Sequence, residues 1–305
     1  YEKGKALVEE GLQKNIFTKD EKGNVICDLE EEGLGKKVVL RSDGTSIYIT
    51  QDMALAKLRY QDHKMDKMVY VVGNEQLHHF KALFSILEKL GYPFAKNCYH
   101  LAYGMGYLPE GKMKSREGKV VDADDLADEM HNIAVVELKK RYDKISQKEL
   151  EQRAEAIGMG AIKFYMLKYD VLQDFTYDPQ ESLSFEGETG PYLQYTHARL
   201  NSILRKAKSS GKVNSNLYDK DEHELIKHLG RFPEVVADAA RQYRPHILAR
   251  YLLDLAQAVN SYYTTHLVLH EDKKLASARL ALITAVKTVL GNGLRLLGII
   301  ALEEM

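Results

Sequence analysis

The sequence predicts an α/β unit followed by an all-helical one, and a change in hydrophobic patterning is what predicts it. Over residues 1–106, short β-like runs alternate with amphipathic stretches. From about Ala123 onward the strand signals stop, and apolar residues recur at helical spacing. A chain of 305 residues has room for both, since single cores rarely grow past roughly 250–300 residues.

In the first half, Val38-Val39-Leu40 and Ile47-Tyr48-Ile49 read as strands flanking the turn Ser42-Asp43-Gly44. Met68-Val69-Tyr70-Val71-Val72 is a continuous apolar run of strand length, ended by Gly73. Phe80, Leu83, Phe84 and Leu87 then follow helical spacing, with Gly91 as the C-terminal stop. A buried strand, a glycine turn and a helix make one βα unit of an α/β sheet. In the second half, one helical stripe runs through Leu193, His197, Leu200 and Leu204, with Pro191 just inside its start, where a missing N–H costs nothing. Further stripes run through Leu248, Leu252, Leu255, Val259 and Tyr262, and through Leu275, Ala278, Leu282, Val286 and Val289. Gly291-Asn292-Gly293 reads as the stop of the last. Thr176-Tyr177-Asp178-Pro179 and residues 184–190 are the candidate junction.

Composition excludes several classes. The hydrophobic share of 45% and charged share of 29% suit a soluble globular chain. No apolar run approaches the ~20 residues of a membrane helix, and no signal peptide opens the chain. Tyr1 in place of Met reads as the start of a fragment. Cys27 and Cys98 offer neither a disulfide framework nor paired metal spacing, so a reducing cytoplasm is the expected compartment. A net charge of −1 argues against a generally basic coat but leaves room for RNA binding on one face.

Three tracts carry chemistry. In residues 41–52 (RSDGTSIYITQD), Thr50 reads as a helix N-cap with Asp52 in the first turn, where a carboxylate near an aromatic ring could grip a cation. On the residues alone, Asp52 simply complements the helix dipole, worth ~0.3–1 kcal/mol. Residues 73–80 (GNEQLHHF) lie where open α/β sheets bind ligands, beyond the carboxyl end of a strand. Gly73 allows close backbone approach there, Glu75 could accept from ribose hydroxyls, and Gln76 offers a neutral amide. His78 and His79, adjacent on a helix, point in different directions and have no evident third ligand, so no metal is expected. Residues 111–119 (GKMKSREGK) form a basic loop of the kind that closes over a triphosphate, although a solvated charged hairpin is the commoner fate of such a loop.

Together and in this order, the three tracts resemble the class I arginyl-tRNA synthetases. The first is similar to that family's arginine-site signature. The second resembles the class I segment that meets the ATP ribose, with Glu75 where Asp is usual, and the third the loop written KMSKS. Residues 188–199 (ETGPYLQYTHAR), 243–260 and 296–305 continue the match. The resemblance implies part of a Rossmann-like catalytic domain over residues 1–122, a helical connector over 123–183 and a helical anticodon-binding domain over 184–305.

The resemblance also implies roles. Tyr48, Asp52 and Gln76 would form the arginine pocket, because a carboxylate meets a guanidinium's fixed fork of donors as it cannot meet an ammonium. Gly73, Glu75, His79 and Met113 would bind ATP, while Lys112, Lys114, Ser115 and Arg116 would act on its phosphates. Ser115 stands where the usual lysine would be, so Lys114 or Arg116 takes that charge. Tyr192, Tyr195, Tyr263 and Met305 would serve the anticodon loop, although tyrosine at helical spacing also belongs in cores. The implied activity joins arginine to tRNA(Arg) at the expense of ATP, whose Mg2+ arrives with the nucleotide, with no structural metal, DNA or membrane partner and a monomeric enzyme. No His-x-Gly-His occurs among the eleven histidines, so the chain alone is expected not to form the adenylate. A different class I synthetase, such as the cysteinyl enzyme, and a non-catalytic tRNA-binding module are the alternatives.

Overall fold

The computed structural model describes residues 2–108, 111–112, 122–142, 144–209 and 211–305. The chain divides into two compact units, Tyr1–Met105 and Gly106–Met305.

The first unit opens with helix α1 (Glu2–Gln13) and an antiparallel sheet of β1 (Phe17–Lys19), β2 (Val25–Leu29) and β3 (Gly35–Leu40). Phe17, Val25, Leu29 and Val39 turn into a core completed by Leu7 and Val8 of α1. Gly11 is needed at that contact, since a Cβ there would lie 2.2 Å from the Phe17 ring. Helix α2 (Tyr48–His63) follows; then β4 (Met68–Gly73), a 3₁₀ turn over Asn74–Gln76, α3 (Leu77–Lys89) and β5 (Cys98–Tyr103). Strands β4 and β5 pair in parallel, Met68 opposite Cys98 and Gly73 opposite Tyr103, which makes the expected βα unit a full βαβ crossover. Gly91 has φ +86° just past α3, as a C-terminal stop requires.

One expected strand is absent. Ile47-Tyr48-Ile49 looks extended by composition, yet α2 begins at Tyr48, because Ile49, Thr50, Met53, Ala54 and Ala56 bury one helical face. Thr50 is consequently not the N-cap but the third helical residue. Its hydroxyl accepts from the Ile47 N–H at 3.0 Å and donates to the Val39 carbonyl, pinning the helix start to β3. Asp52 therefore lies beyond the first turn, which contains no acidic residue, and the dipole reading of Asp52 falls.

The second unit starts with a small sheet in the order β7 (Gly111–Lys112), β6 (Gly106–Leu108), β8 (Phe175–Thr176). Strand β8 corrects the expectation that strands end before Ala123; two residues leave no periodicity to read. Among the described residues, seven α-helices follow: α4 (Ala123–Arg141), α5 (Gln147–Leu167), the short α6 (Pro179–Ser182), α7 (Gly190–Ala207), α8 (Lys220–Gln242), α9 (Pro245–Thr265) and α10 (Lys273–Leu296). Side chains of Asp122, Ser146, Asp178, Thr189, Asp219 and Asp272 cap six of them. Leu200, Leu252, Leu255, Val259, Ile283, Val286 and Leu290 fill the core between α7, α9 and α10. The Gly291-Asn292-Gly293 stop is not observed: α10 runs through it to Leu296. Those glycines serve packing instead. A Cβ at Gly293 would come within 2.4 Å of Leu252, and one at Gly291 within 3.1 Å of the His197 ring.

Candidate functional site

On the first unit, the chemistry gathers beyond the end of β4. Asp52 of α2 and His79 of α3 meet at 2.7 Å between Oδ2 and Nε2. Helix periods set what stands next to the pair along each element. Asp52 is one turn after Tyr48 on α2, and His79 is one turn after Gln76 on the segment that follows β4. Tyr48 presents its ring to solvent with 83% exposure. His79 rests edge-on against Phe80, which in turn packs on His100 at 4.4 Å between centroids. Glu75 and Gln76 are exposed in the 3₁₀ turn. Among the described residues, no hydrogen bond joins Tyr48 or Gln76 to Asp52. The structure thus pairs two side chains assigned from sequence to different ligands, and leaves Tyr48 and Gln76 open beside them. Lys112 is the last residue of β7, while Met113, Lys114, Ser115 and Arg116 lie outside the described residues.

The second unit carries an aromatic groove built on α7. Thr189 accepts from the Tyr192 N–H at 3.1 Å and fixes the helix start, so that Tyr192, Tyr195 and Arg199 follow one another along one face. Arg199 is held rigidly. Its guanidinium donates to the Tyr195 hydroxyl at 2.9 Å and to the Asn260 side-chain carbonyl at 3.2 Å. The Asn260 amide donates to Tyr192 Oη at 2.9 Å and Thr196 Oγ1 at 3.0 Å, closing the network across α7 and α9. The same guanidinium lies over the Tyr195 ring at 4.7 Å and the Tyr263 ring at 5.9 Å. Two hollows of about 360 and 380 Å³ share Tyr195 and Arg199. Tyr192 lines the first, and Met305 the second.

Sequence reasoning missed Arg199 and Asn260. The signal for Arg199 was available, since it stands four residues after Tyr195 on the same helix; the bond to Asn260 spans 61 residues and leaves no local pattern.

The opposite face of α7 grips the segment after α10. The Gln194 amide donates to the Ile300 carbonyl at 2.9 Å, His197 Nδ1 to the Leu302 carbonyl at 2.8 Å and the Asn201 amide to the Glu303 carbonyl at 3.0 Å. Arg153 and Arg205 both pair with Glu304. Burial pushes the His197 imidazole below its ordinary pKa, consistent with a neutral ring that donates from Nδ1. This ladder delivers Met305 to the groove. A larger hollow of about 870 Å³ beside the same segment is walled by Glu149, Glu151, Glu155, Glu303 and Glu304, which disfavours a polyanion there.

Among the described residues, Asp219, Asp221 and His266 bring three metal-capable atoms within 4.8 Å of one another. Asp219 is already committed to capping α8 and to His266 at 3.0 Å.

A unit with a parallel βαβ crossover, followed by a helical unit with an arginine-centred aromatic groove, defines an α/β protein with a helical-bundle second half. The comparisons name the class. Residues 4–179 match the model of the tRNA synthetases class I (R) catalytic domain, and residues 193–305 match that of the DALR anticodon binding domain. An arginine–tRNA ligase of Amoebophilus asiaticus is 44% identical over 99% of this chain and 52% of its own length. One from Bacteroides thetaiotaomicron is 45% identical over 98% of this chain and 52% of its own length. The solved arginyl-tRNA synthetase of Thermus thermophilus superposes with a TM-score of 0.87 at 30% identity, covering 100% of this chain and 58% of that one. The chain belongs to the class I arginyl-tRNA synthetase family. It spans about half the length of the curated relatives it matches.

Proposed function

We propose that the chain forms part of an enzyme that activates arginine with ATP and esterifies it to a 3′-terminal hydroxyl of tRNA(Arg). In this reading the first unit contributes part of the arginine and ATP site, and the second reads the anticodon loop. The observation that carries the RNA half is Arg199, a fixed cation between the Tyr195 and Tyr263 rings on a chain whose net charge is only −1. Single-stranded bases are recognised by stacking on aromatic rings and guanidinium planes, so local arrangement matters more than overall basicity.

For the amino-acid half, His79 engages Asp52 Oδ2, leaving Oδ1 with no hydrogen bond among the described residues, while Tyr48 and Gln76 are exposed. A carboxylate so held suits a guanidinium and rejects an aliphatic side chain, which would leave it unpaired. Gly73, Glu75 and the 112–116 loop would meet ATP and the Mg2+ it carries. Burial pushes the Cys27 and Cys98 thiols up to about 11, which suits them to neither metal binding nor nucleophilic attack. No helix among the described residues is long and apolar enough to cross a membrane. A monomer acting in the cytoplasm fits this picture.

Anisotropy titration of labelled tRNA(Arg) with the chain tests the RNA half. Binding should fall with added salt and weaken about tenfold to a hundredfold in Tyr195→Ala, the equivalent of ~1–3 kcal/mol for one stacked base. Failure of the wild-type chain to bind tRNA(Arg) would end the reading. ATP–pyrophosphate exchange is expected to be absent, since no His-x-Gly-His occurs in the sequence. Arginine-dependent exchange by the chain alone would show that the phosphate site is differently built.

A further inference from the structure

The first hollow of the groove has a second wall that the family resemblance did not assign. Arg141, the last residue of α4, places its guanidinium 3.7 Å above the Phe185 ring centroid, closer than Arg199 comes to either of its tyrosines. Phe185 meets Tyr195 edge-to-face at 6.5 Å and 84°, so Arg141, Phe185, Tyr195 and Arg199 form one continuous run of contacts, cation to ring, ring to ring and ring to cation. Arg141 and Phe185 line the hollow of about 360 Å³ together with Glu186, Tyr192, Tyr195 and Arg199.

Two features separate this pair from an ordinary surface contact. The loop that carries Phe185 is fixed: the Glu186 N–H donates to Ser184 Oγ at 3.1 Å, the Thr189 hydroxyl donates to the Ser184 carbonyl, and Gly187 takes φ +82°. Arg141 makes no ion pair among the described residues, whereas its neighbour Lys140 is paired with Glu137. A guanidinium backed by a ring on one face, and without a carboxylate, keeps its other face free for a second plane.

We propose that Arg141, backed by Phe185, is a further stacking platform for one unpaired base of a single-stranded RNA loop, at the end of the groove away from Met305. Resting on the RNA-binding reading above, the assignment adds a site supplied by α4 to those supplied by α7 and α9. A base on the outer face of Arg141 completes a ring–guanidinium–base sandwich, in which the planar fork matters and the charge alone does not suffice.

The test uses the whole 305-residue chain and a hairpin RNA bearing the tRNA(Arg) anticodon loop, with 2-aminopurine replacing successive loop bases. Arg141→Lys keeps the charge and removes the plane; Phe185→Leu keeps apolar bulk and removes the ring. Both should weaken binding about tenfold, and Arg141→Lys should relieve the 2-aminopurine quenching at one loop position and leave the others unchanged. Arg141 is exposed at a helix end, so the thermal transition serves as the check that the fold is kept. Wild-type affinity and quenching in Arg141→Lys, with binding still lost in Tyr195→Ala, would overturn this platform and leave the groove standing. No binding of the hairpin by the wild-type chain would overturn both.

Discussion

The two units solve the placement of functional side chains in opposite ways. On the helical unit, each groove residue is held by at least one partner that is itself held: Asn260 fixes both Arg199 and Tyr192, and a ladder of side chains from α7 fixes the path to Met305. On the sheet unit the His79–Asp52 hydrogen bond joins two of the assigned side chains, and Tyr48 and Gln76 are exposed. The difference teaches where preorganisation resides. On the proposed reading, a surface for a large flexible polyanion is built rigid before the partner arrives, because ordering cost then falls on the RNA alone. The same reading makes the sheet edge, where Val71 and Tyr103 of the paired strands are also exposed, a small-molecule site that its ligand orders.

The sharpest way to break this comparison is to attack the support of the helical unit. Glu222 is fully buried and accepts from the Tyr262 hydroxyl at 2.8 Å, Arg279 Nε at 2.9 Å and the Asp219 N–H at 2.8 Å, so one carboxylate ties α8, α9 and α10. Arg279→Met strands that charge and should cost ~3–5 kcal/mol in urea denaturation. Adding Glu222→Gln should recover much of the loss. A single variant as stable as wild type would show that the bundle does not depend on this anchor.

Glycines give the next contrast. A Cβ at Gly190 would lie 2.3 Å from the Gly160 carbonyl oxygen, because α5 and α7 cross backbone to backbone. Gly190→Ala should therefore cost ~1–3 kcal/mol as an overpacked contact. A Cβ at Gly73 meets nothing closer than Met105 Sδ at 3.7 Å, and Gly73 has an ordinary φ of −53°. Gly73→Ala should leave stability within ~0.5 kcal/mol. Any loss of ATP binding in that variant then reports on ligand approach alone.

These contrasts also mark what the sequence could reveal. Helices α7, α9 and α10 were legible because their apolar stripes run for about three turns or more, and β4 because five apolar residues stand between Lys67 and Gly73. Residues 47–49 misled because three β-prone residues are too few to show a period, and the buried face only becomes visible through Met53 and Ala56. Gly291 and Gly293 misled because a helix accepts glycine where a neighbouring side chain must pass close, and those neighbours, His197 and Leu252, are remote in sequence. At the site, single residues were legible and pairings were not. Asp52 and His79 were each singled out, but their separation of 27 positions hid their bond.

A smaller effect concerns pH. Burial holds His197 below the ordinary imidazole value of 6.5, with Lys287 pushing the same way and the Leu302 carbonyl and Glu303 opposing. The unfolded chain thus takes up a proton near that pH which the folded chain refuses. Stability from the neutral ring is whole above pH 6.5 and is lost as the pH falls through and below it. Protection of the amides of residues 299–303, as exchange relative to the intrinsic rate at each pH, should fall on acidification, and His197→Asn, whose amide can stand in for Nδ1–H, should flatten that dependence. Equal protection on both sides of pH 6.5 would mean that the ladder does not rest on His197.

The smallest expected change falls on the pair to which the proposed function assigns ligand choice. The side chains of Asp52 and His79 are 35% and 18% exposed, so their mutual bond is screened, and pairs of this kind contribute ~0.2–1 kcal/mol at most. His79→Gln should hardly move the unfolding transition of the chain. If the sheet-edge reading is right, the same variant should still weaken arginine binding in the complete enzyme, because the carboxylate loses its orientation and any ligand must then order it. Asp52→Asn should be more severe for binding and equally mild for stability, since an amide keeps the size and removes the charge that selects a guanidinium. A large stability loss in either variant would make the pair a structural element after all, and the two units would then differ in degree and not in kind.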